Sequence, residues 1–277
     1  MQKTARLLAG VIFKVPDSMP HDLLDLTGLL EHTIRTSIKN VGLWDWDEDH
    51  ITRSLLTRLR SELGRIELLG DDVRSNIHWQ AYKLSGTYEN RFGDVAILVN
   101  IHYKDGEHLE GAAFLEAKRR QRRKTTFDAM RAQQLNKLLK HAPRAHYLLY
   151  DYEDITGFQS SPVFFDEVRH FYRRNWPAGS VAPRTSAVCV PLNVAKATGY
   201  KDTLLYRYAT PLSVMLSCRF FQGLDLEFGS EALQVAAGFL EKFGLPSYIL
   251  EVEISEAGAE PTKKTDYVNR QRYEPMD

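Results

Sequence analysis

Asp94, Glu116 and Lys118 are the residues of this 277-residue chain whose types and spacing could do chemistry. Asp94 opens the β-branched run Asp94 to Tyr103 (DVAILVNIHY), and Glu116 nearly closes the apolar run Leu109 to Lys118 (LEGAAFLEAK). Between them, Lys104-Asp105-Gly106-Glu107 holds the Asp-Gly pair that tight hairpins prefer. Positions 94 and 116 lie symmetrically about Asp105, so a hairpin turning there sets Asp94 across from Glu116. Side chains alternate along a strand, so Glu116 and Lys118 share a face with Asp94, Ala96, Leu98, Ala112 and Phe114, while Ala117 points away. Two carboxylates in an apolar setting repel and raise each other's pKa. A divalent cation removes that cost, since Mg²⁺ takes hard oxygen ligands, commonly one or two carboxylates plus waters and phosphate oxygens. A lysine beside the ion can orient or deprotonate a water and contact a phosphate. These residue types fit metal-assisted phosphodiester hydrolysis. The bland alternative is an ion pair between Glu116 and Lys118. Against it, no other lysine of the chain has an acid two positions before it.

The elements that must position these residues are read from periodicity. Leu23, Leu24, Leu30, Ile34 and Ile38 recur at helical spacing over His21 to Asn40. The acidic stretch Asp45 to Asp49 leads into a second helix reaching about Leu63, with Asp45 or Asp47 as N-cap. Gly64 and Gly70 bracket a connection, and alternation from Ile77 predicts a strand. After the hairpin, a helix is expected over Thr126 to His141 and a strand over Ala145 to Tyr152. Further helices are expected over Phe164–Arg174, Asp202–Phe221 with a break at Pro211, and Ser230–Phe243. Strands are expected over Ser186–Leu192 and Ser247–Ile254. The dense aromatics from Tyr147 to Tyr172 are expected to serve packing. The polar tail from Glu256 is expected to be mobile.

Composition bounds the answer. A hydrophobic fraction of 43% and a charged fraction of 26% are those of a globular protein, which excludes wholesale disorder or a rod. The 36 basic residues balance 36 acidic ones, which argues against binding nucleic acid by bulk electrostatics. That balance hides segregation, with acid at Asp45–Asp49 and base at Lys118–Lys124. Cys189 and Cys218 form no CxxC, so neither a thiolate zinc site nor a disulfide framework is expected. No apolar run is long enough for a membrane helix and no secretory leader is evident, so a cytoplasmic protein without a membrane partner is expected. Phosphate-loop, dinucleotide, zinc-protease and nucleophile-elbow motifs do not occur.

Gly93-Asp94, a hairpin, then Glu116-Ala117-Lys118 resembles the PD-(D/E)XK nuclease superfamily, with Gly93 where the motif has proline. The resemblance covers about residues 20–155. It implies an α/β fold: a restriction-endonuclease-like mixed β-sheet with a central catalytic hairpin flanked by helices, here with a C-terminal α/β elaboration. The chain then divides into an N-terminal segment (1–20), a nuclease core (21–155), an extension packed on the core (156–255) and a tail (256–277). It also implies Mg²⁺-dependent cleavage of nucleic acid, usually DNA, with RNA left open and Mn²⁺ able to substitute. Carried over by motif position, Asp94 and Glu116 are metal ligands, Lys118 is the catalytic lysine, and the Ala117 carbonyl is a further possible ligand.

The family often adds an acid from the helix before the hairpin. Glu48 shares a stripe with Ile51, Leu55 and Leu59 and is favoured over Glu31, which lies at the edge of its helix's stripe. A charge placed to suit the helix dipole is the competing account of Glu48. Family members also commonly place a glutamine near the metal, and Gln134 shares a stripe with Phe127, Met130 and Leu138, so it is favoured over Gln133. The run Lys118–Lys124 carries six basic residues in seven positions. Arg119, Arg120, Arg122, Arg123 and Lys124 could clamp phosphates or form a solvated turn. The resemblance points to an endonuclease of restriction or anti-phage defence, working as a homodimer or with a partner protein. Two other readings stay open. One is a non-catalytic nuclease-like subunit binding nucleic acid or a partner. The other is a plain ion-pair network, which carboxylates more than ~8 Å apart would favour.

Overall fold

A computed structural model describes residues 23–69, 74–86, 92–157, 184–242, 244–259 and 267–276. The chain is mixed α/β, built on a nine-stranded mixed sheet. In chain order the elements are α1 (Leu23–Asn40), α2 (Glu48–Leu63), β1 (Arg65–Leu69), β2 (Arg74–Leu84), β3 (Val95–His102), β4 (His108–Arg119), α3 (Ala132–His141) and β5 (His146–Ile155). Then come β6 (Thr185–Pro191), α4 (Leu192–Thr198), β7 (Thr210–Pro211), α5 (Leu212–Cys218), α6 (Ser230–Ala236), β8 (Tyr248–Glu256) and β9 (Tyr273–Pro275). The strand order is β1-β2-β8-β3-β4-β5-β6-β7, with β9 on β2.

The centre of the sheet is the β3–β4 hairpin. Every residue of β3 is buried, as a run of β-branched and aliphatic residues in a central strand should be. Strands β3 and β4 pair with Val95 opposite Leu115 and His102 opposite His108, a register centred on position 105. Alternation then sorts the side chains into two cores. Val95, Ile97, Val99, Ala113 and Leu115 face α1, α2 and α5, packing on Leu30, Ile34, Leu55, Leu59 and Met215. Ala96, Leu98, Ala112 and Phe114 face the other way, toward α3, α4 and α6, with Leu138, Leu192 and Val235. Of the two acids offered as N-cap of α2, Asp47 does the work, accepting from the His50 N–H at 3.0 Å.

Several elements differ from the reading of the sequence. The segment between Gly64 and Gly70 is not a bare connection: Arg65–Leu69 is a short edge strand antiparallel to β2. Residues Thr126–Arg131 are not helical. Their backbone is claimed elsewhere, with Phe127 N–H donating to Lys201 and Asp128 N–H to Arg119, so helix α3 starts only at Ala132. Phe127 and Met130 are buried all the same. Asp202–Phe221 breaks at Pro211 as expected, but into a 3₁₀ turn (Thr203–Tyr208), strand β7 and the short helix α5. The helix beginning at Ser230 stops at Ala236, where Gly238 turns the chain at φ +79°. The tail from Glu256 carries β9, whose Tyr273 is fully buried and donates to Pro246 O at 2.7 Å. The expected helix Phe164–Arg174 and the N-terminal segment lie outside the described residues.

The C-terminal half is not packed on a finished core. Strand β8 inserts between β2 and β3, parallel to β3 and antiparallel to β2. The sheet is therefore continuous across position 155, and the hairpin's outer support comes from residues about 150 positions downstream of β3. No helix among the described residues is long and apolar enough to cross a membrane.

Candidate active site

The site forms at the end of the sheet where β3 begins and β4 runs on past it. Gly93 sets the entry. Its φ is +74°, and a Cβ there would meet Leu115 O at 3.2 Å. Proline, fixed near φ −65°, could not stand at this position. Asp94 is then held on both sides: its N–H donates to Leu115 O at 2.9 Å, and its carbonyl accepts from Tyr248 N–H at 2.9 Å. Its carboxylate accepts from the Ala117 N–H at 2.8 Å, locking the first acid to the second strand.

Glu116 points into the layer of α3, and Glu48 comes from the first turn of α2 on the opposite layer. Lys118, in the overhang of β4, reaches between them. Its Nζ donates to Glu116 Oε1 at 2.7 Å, to the Ala117 carbonyl at 2.6 Å and to Glu48 Oε1 at 3.3 Å, with Asp94 Oδ2 at 3.9 Å. The Asp94 and Glu116 oxygens lie 3.9 and 2.7 Å from one nitrogen, so the two carboxylates stand closer than the ~8 Å separation that would favour a plain ion-pair network. Gln134, on the exposed-to-buried edge of α3, donates its Nε2 to Glu116 Oε1 at 2.6 Å. The sequence-derived residues Asp94, Glu116, Ala117, Lys118, Glu48 and Gln134 are therefore contiguous. Glu31 is elsewhere, under α5, where Ser213 donates to it at 2.6 Å and Arg35 and Asp154 are its charged neighbours.

Electrostatics in this cluster follow from burial. Glu116 is 2% exposed, and desolvation, with the Asp94 charge added, pushes its carboxyl up to about 8 despite the attraction of Lys118. Burial raises Glu48 too, with Lys118 opposing and Asp94 adding to the rise. Desolvation alone would depress Lys118, but Glu116, Asp94 and Glu48 outweigh it and hold the ammonium above its ordinary range. The lysine is thus a persistent cation and hydrogen-bond donor at neutral pH. Tyr147, opposite Glu116 in β5, is pushed up to about 12 by burial and then by the Glu116 charge.

Two acceptors stand out. Of the three carboxylate oxygens that are buried without a hydrogen-bond partner among the described residues, Glu31 Oε1 lies elsewhere, while Glu116 Oε2 and Glu48 Oε2 both belong to this cluster. A buried acceptor left unsatisfied costs about 1–3 kcal/mol, more when charged. With Asp94 and the Ala117 carbonyl they form an all-oxygen donor set, the kind that suits Mg²⁺ or Mn²⁺ rather than a soft metal. The donor chemistry suits such an ion; the present spacing is not that of a bound one. Among the described residues, no three His, Cys, Asp or Glu side chains are drawn together as a preformed metal cage. The ammonium of Lys118 stands among the three carboxylates.

The basic run divides in two. Arg119 donates to Asp128 at 2.7 Å and to the Trp46 carbonyl. Arg120 is paired with Asp151 and Glu153 at 2.9 and 2.7 Å and lies over the Tyr152 ring. Asp151 is itself buried and accepts from Tyr206 at 2.7 Å. Both arginines are built into the turn. Arg122, Arg123 and Lys124 are exposed.

Sequence reasoning missed three contributors. Trp46 is buried and donates to the Arg120 carbonyl at 2.9 Å, tying the acidic stretch to the basic one. Tyr248 donates to Asp49 Oδ1 at 2.7 Å, steadying the start of α2 beside Asp94. Thr52 joins the Glu48 carbonyl to Tyr150 OH, at 2.8 and 3.1 Å. None has a local signal, because each pairs with a residue far along the chain. Comparison with family models, with curated proteins and with solved structures finds no match to this chain.

Proposed function

We propose that this protein is a divalent-metal-dependent nuclease of PD-(D/E)XK type, acting on DNA in the first instance. One observation carries the reading: two buried carboxylate oxygens without partners, Glu116 Oε2 and Glu48 Oε2, flank Lys118 beside Asp94. Asp94, Glu116, Glu48 and the Ala117 carbonyl would hold Mg²⁺ or Mn²⁺. When bound, the ion would polarise the phosphodiester and lower the pKa of a water.

The chain's own residues do the rest. Lys118, kept protonated by its three acids, donates to phosphate oxygens as negative charge develops. Gln134 fixes the Glu116 carboxylate and so positions a ligand without touching substrate. Glu48, 3.3 Å from the Lys118 ammonium, would hold the ion directly or through a water. Arg122, Arg123 and Lys124 supply exposed positive charge next to the site.

The test is cleavage of single-stranded and duplex DNA, and of RNA, with Mg²⁺ or Mn²⁺ against chelator. Wild type should cleave, and Glu116→Gln should lose about 10²- to 10³-fold while remaining folded, as removal of a central electrostatic group commonly does. Equal rates for Glu116→Gln and wild type, or no cleavage of any of these substrates, would sink the proposal.

A further inference from the structure

Trp44 is 94% exposed, while Trp46, two residues on, is 3% exposed. An indole left almost wholly in water is an unusual use of the largest apolar side chain, and its backbone is not loose. Trp46 stacks edge-on against Tyr152 at 5.6 Å and donates to the Arg120 carbonyl. Arg119 returns a bond to the Trp46 carbonyl. From the other side, Tyr152 OH accepts from the Arg123 N–H at 2.9 Å and holds that residue at φ +58°. The turn carrying Trp44 and the turn carrying Arg122–Lys124 are thus clamped to each other. On this platform the Arg122 guanidinium lies 6.0 Å from the Trp44 ring centroid. Asp45 and Asp47 are exposed alongside and oppose any phosphate there, so the attraction must come from Arg122, Arg123, Lys124 and the ring face.

The platform adjoins the candidate active site. Trp44 precedes Glu48 by four residues and Arg122 follows Lys118 by four, and four residues span at most about 14 Å. One strand of a duplex advances 3.4 Å per nucleotide, so that reach is about four nucleotides. An exposed aromatic face gains from a nucleobase whose own face is open, and in an intact duplex both faces are covered by neighbours.

We propose that Trp44 with Arg122 is a base-stacking step that receives an unpaired nucleotide beside the cleaved phosphodiester, so that the enzyme's substrates are single strands, flaps or frayed ends. This rests on the nuclease reading and names its substrate class.

Binding of fluorescein-labelled dT20, rU20 and a 20-base-pair duplex is measured by anisotropy in chelator, where cleavage plays no part. Wild type should bind the single strands more tightly than the duplex. Trp44→Ala should weaken single-strand binding about 5- to 150-fold, the range that stacking at ~1–3 kcal/mol per base gives. Trp44→Phe should restore most of it, and duplex binding should change less than twofold. The dT20 and rU20 arms separate DNA from RNA. Unchanged single-strand affinity in Trp44→Ala, or an equal loss on duplex, overturns the inference. So does a change in self-association without a change in nucleic-acid affinity, which marks Trp44 as a protein contact. Metal-dependent cleavage with Trp44-insensitive binding defeats this inference alone, whereas failure both to bind and to cleave defeats the nuclease reading with it.

Discussion

Lys118→Met tests the site as a coupled electrostatic unit. The substitution keeps the aliphatic stem and removes the ammonium that Glu116, Glu48 and Asp94 share. Breaking a buried ion pair from one side costs about 3–5 kcal/mol, because the remaining charge is stranded. Glu116 can escape part of that cost by taking up a proton. Its carboxyl already stands at about 8, and loss of the lysine raises it further. A carboxyl raised in the folded state contributes stability below its ordinary pKa of 4.5 and loses it as pH climbs through the folded value. The penalty of Lys118→Met therefore grows with pH. At pH 6 it should be on the order of 1 kcal/mol, the lost hydrogen bonds alone. At pH 9 it should approach 3–5 kcal/mol, or about 6–20 °C in the thermal midpoint. Adding 10 mM Mg²⁺ should then restore much of the loss at pH 9, since an ion at 100 times its Kd stabilises by about 2.7 kcal/mol. Wild type should gain less, because its ammonium competes for the same oxygens. Differential scanning fluorimetry at pH 6 and 9, with and without Mg²⁺, reads all four states. A penalty independent of pH would refute the coupling. A pH-dependent penalty that Mg²⁺ leaves untouched would leave only a structural ion pair.

Three further outcomes are expected. Glu31, 4% exposed and pushed up to about 7 by burial, should cost the wild type stability as pH rises from 4.5 through 7; Glu31→Gln should melt level with it at pH 5 and above it at pH 8, the full shift corresponding to about 3 kcal/mol. Arg120→Ala should cost about 3 kcal/mol in urea unfolding, because Asp151 is 1% exposed and loses its cation, yet should leave nucleic-acid affinity nearly unchanged. Duplex binding measured against salt should give a log–log slope of about −2 to −3, as befits Arg122, Arg123 and Lys124; a slope near −5 would mean that the arginines paired in the turn also release counterions.

What could be read in advance was local. The hairpin register follows from one turn and two equal arms, and the facing of Glu48 follows from helical period and its core stripe, whereas Gln134 reaches the site although only Leu138 of its expected stripe shares its helix. What could not be read depends on distant partners. Arg65–Leu69 mixes charged and apolar residues and becomes a strand only because β2 offers it an edge. Phe127 and Met130 keep a helix-like apolar spacing, but the Phe127 N–H bonds to Lys201 and the Asp128 N–H to Arg119, and the segment never winds. The place of β8 between β2 and β3 is invisible in its own residues, SYILEVEI, which suit any buried strand. The tail is polar in composition, yet Tyr273 finds a slot against Gly238, where a Cβ would clash with its ring. Composition averages over a segment, whereas packing depends on single residues.

The neutral charge total looks different once each charge has an address. In the acidic and basic stretches, charge of both signs is drawn into one small region rather than spread over the surface. Arg119 and Arg120 are spent on Asp128, Asp151 and Glu153, and the Lys118 ammonium on three carboxylates. Those pairings hold the turn and the start of α2 together across 70 residues of sequence, with Trp46 as the pin. Yet the same pairings stop short of closure, because Glu116 Oε2 and Glu48 Oε2 remain buried and unsatisfied. If stability alone had shaped the cluster, apolar residues of similar size would have served at least as well, since replacing buried ion pairs in that way is often neutral or stabilising. Three acids around one lysine, with acceptor capacity left over, are what the proposed metal site would require.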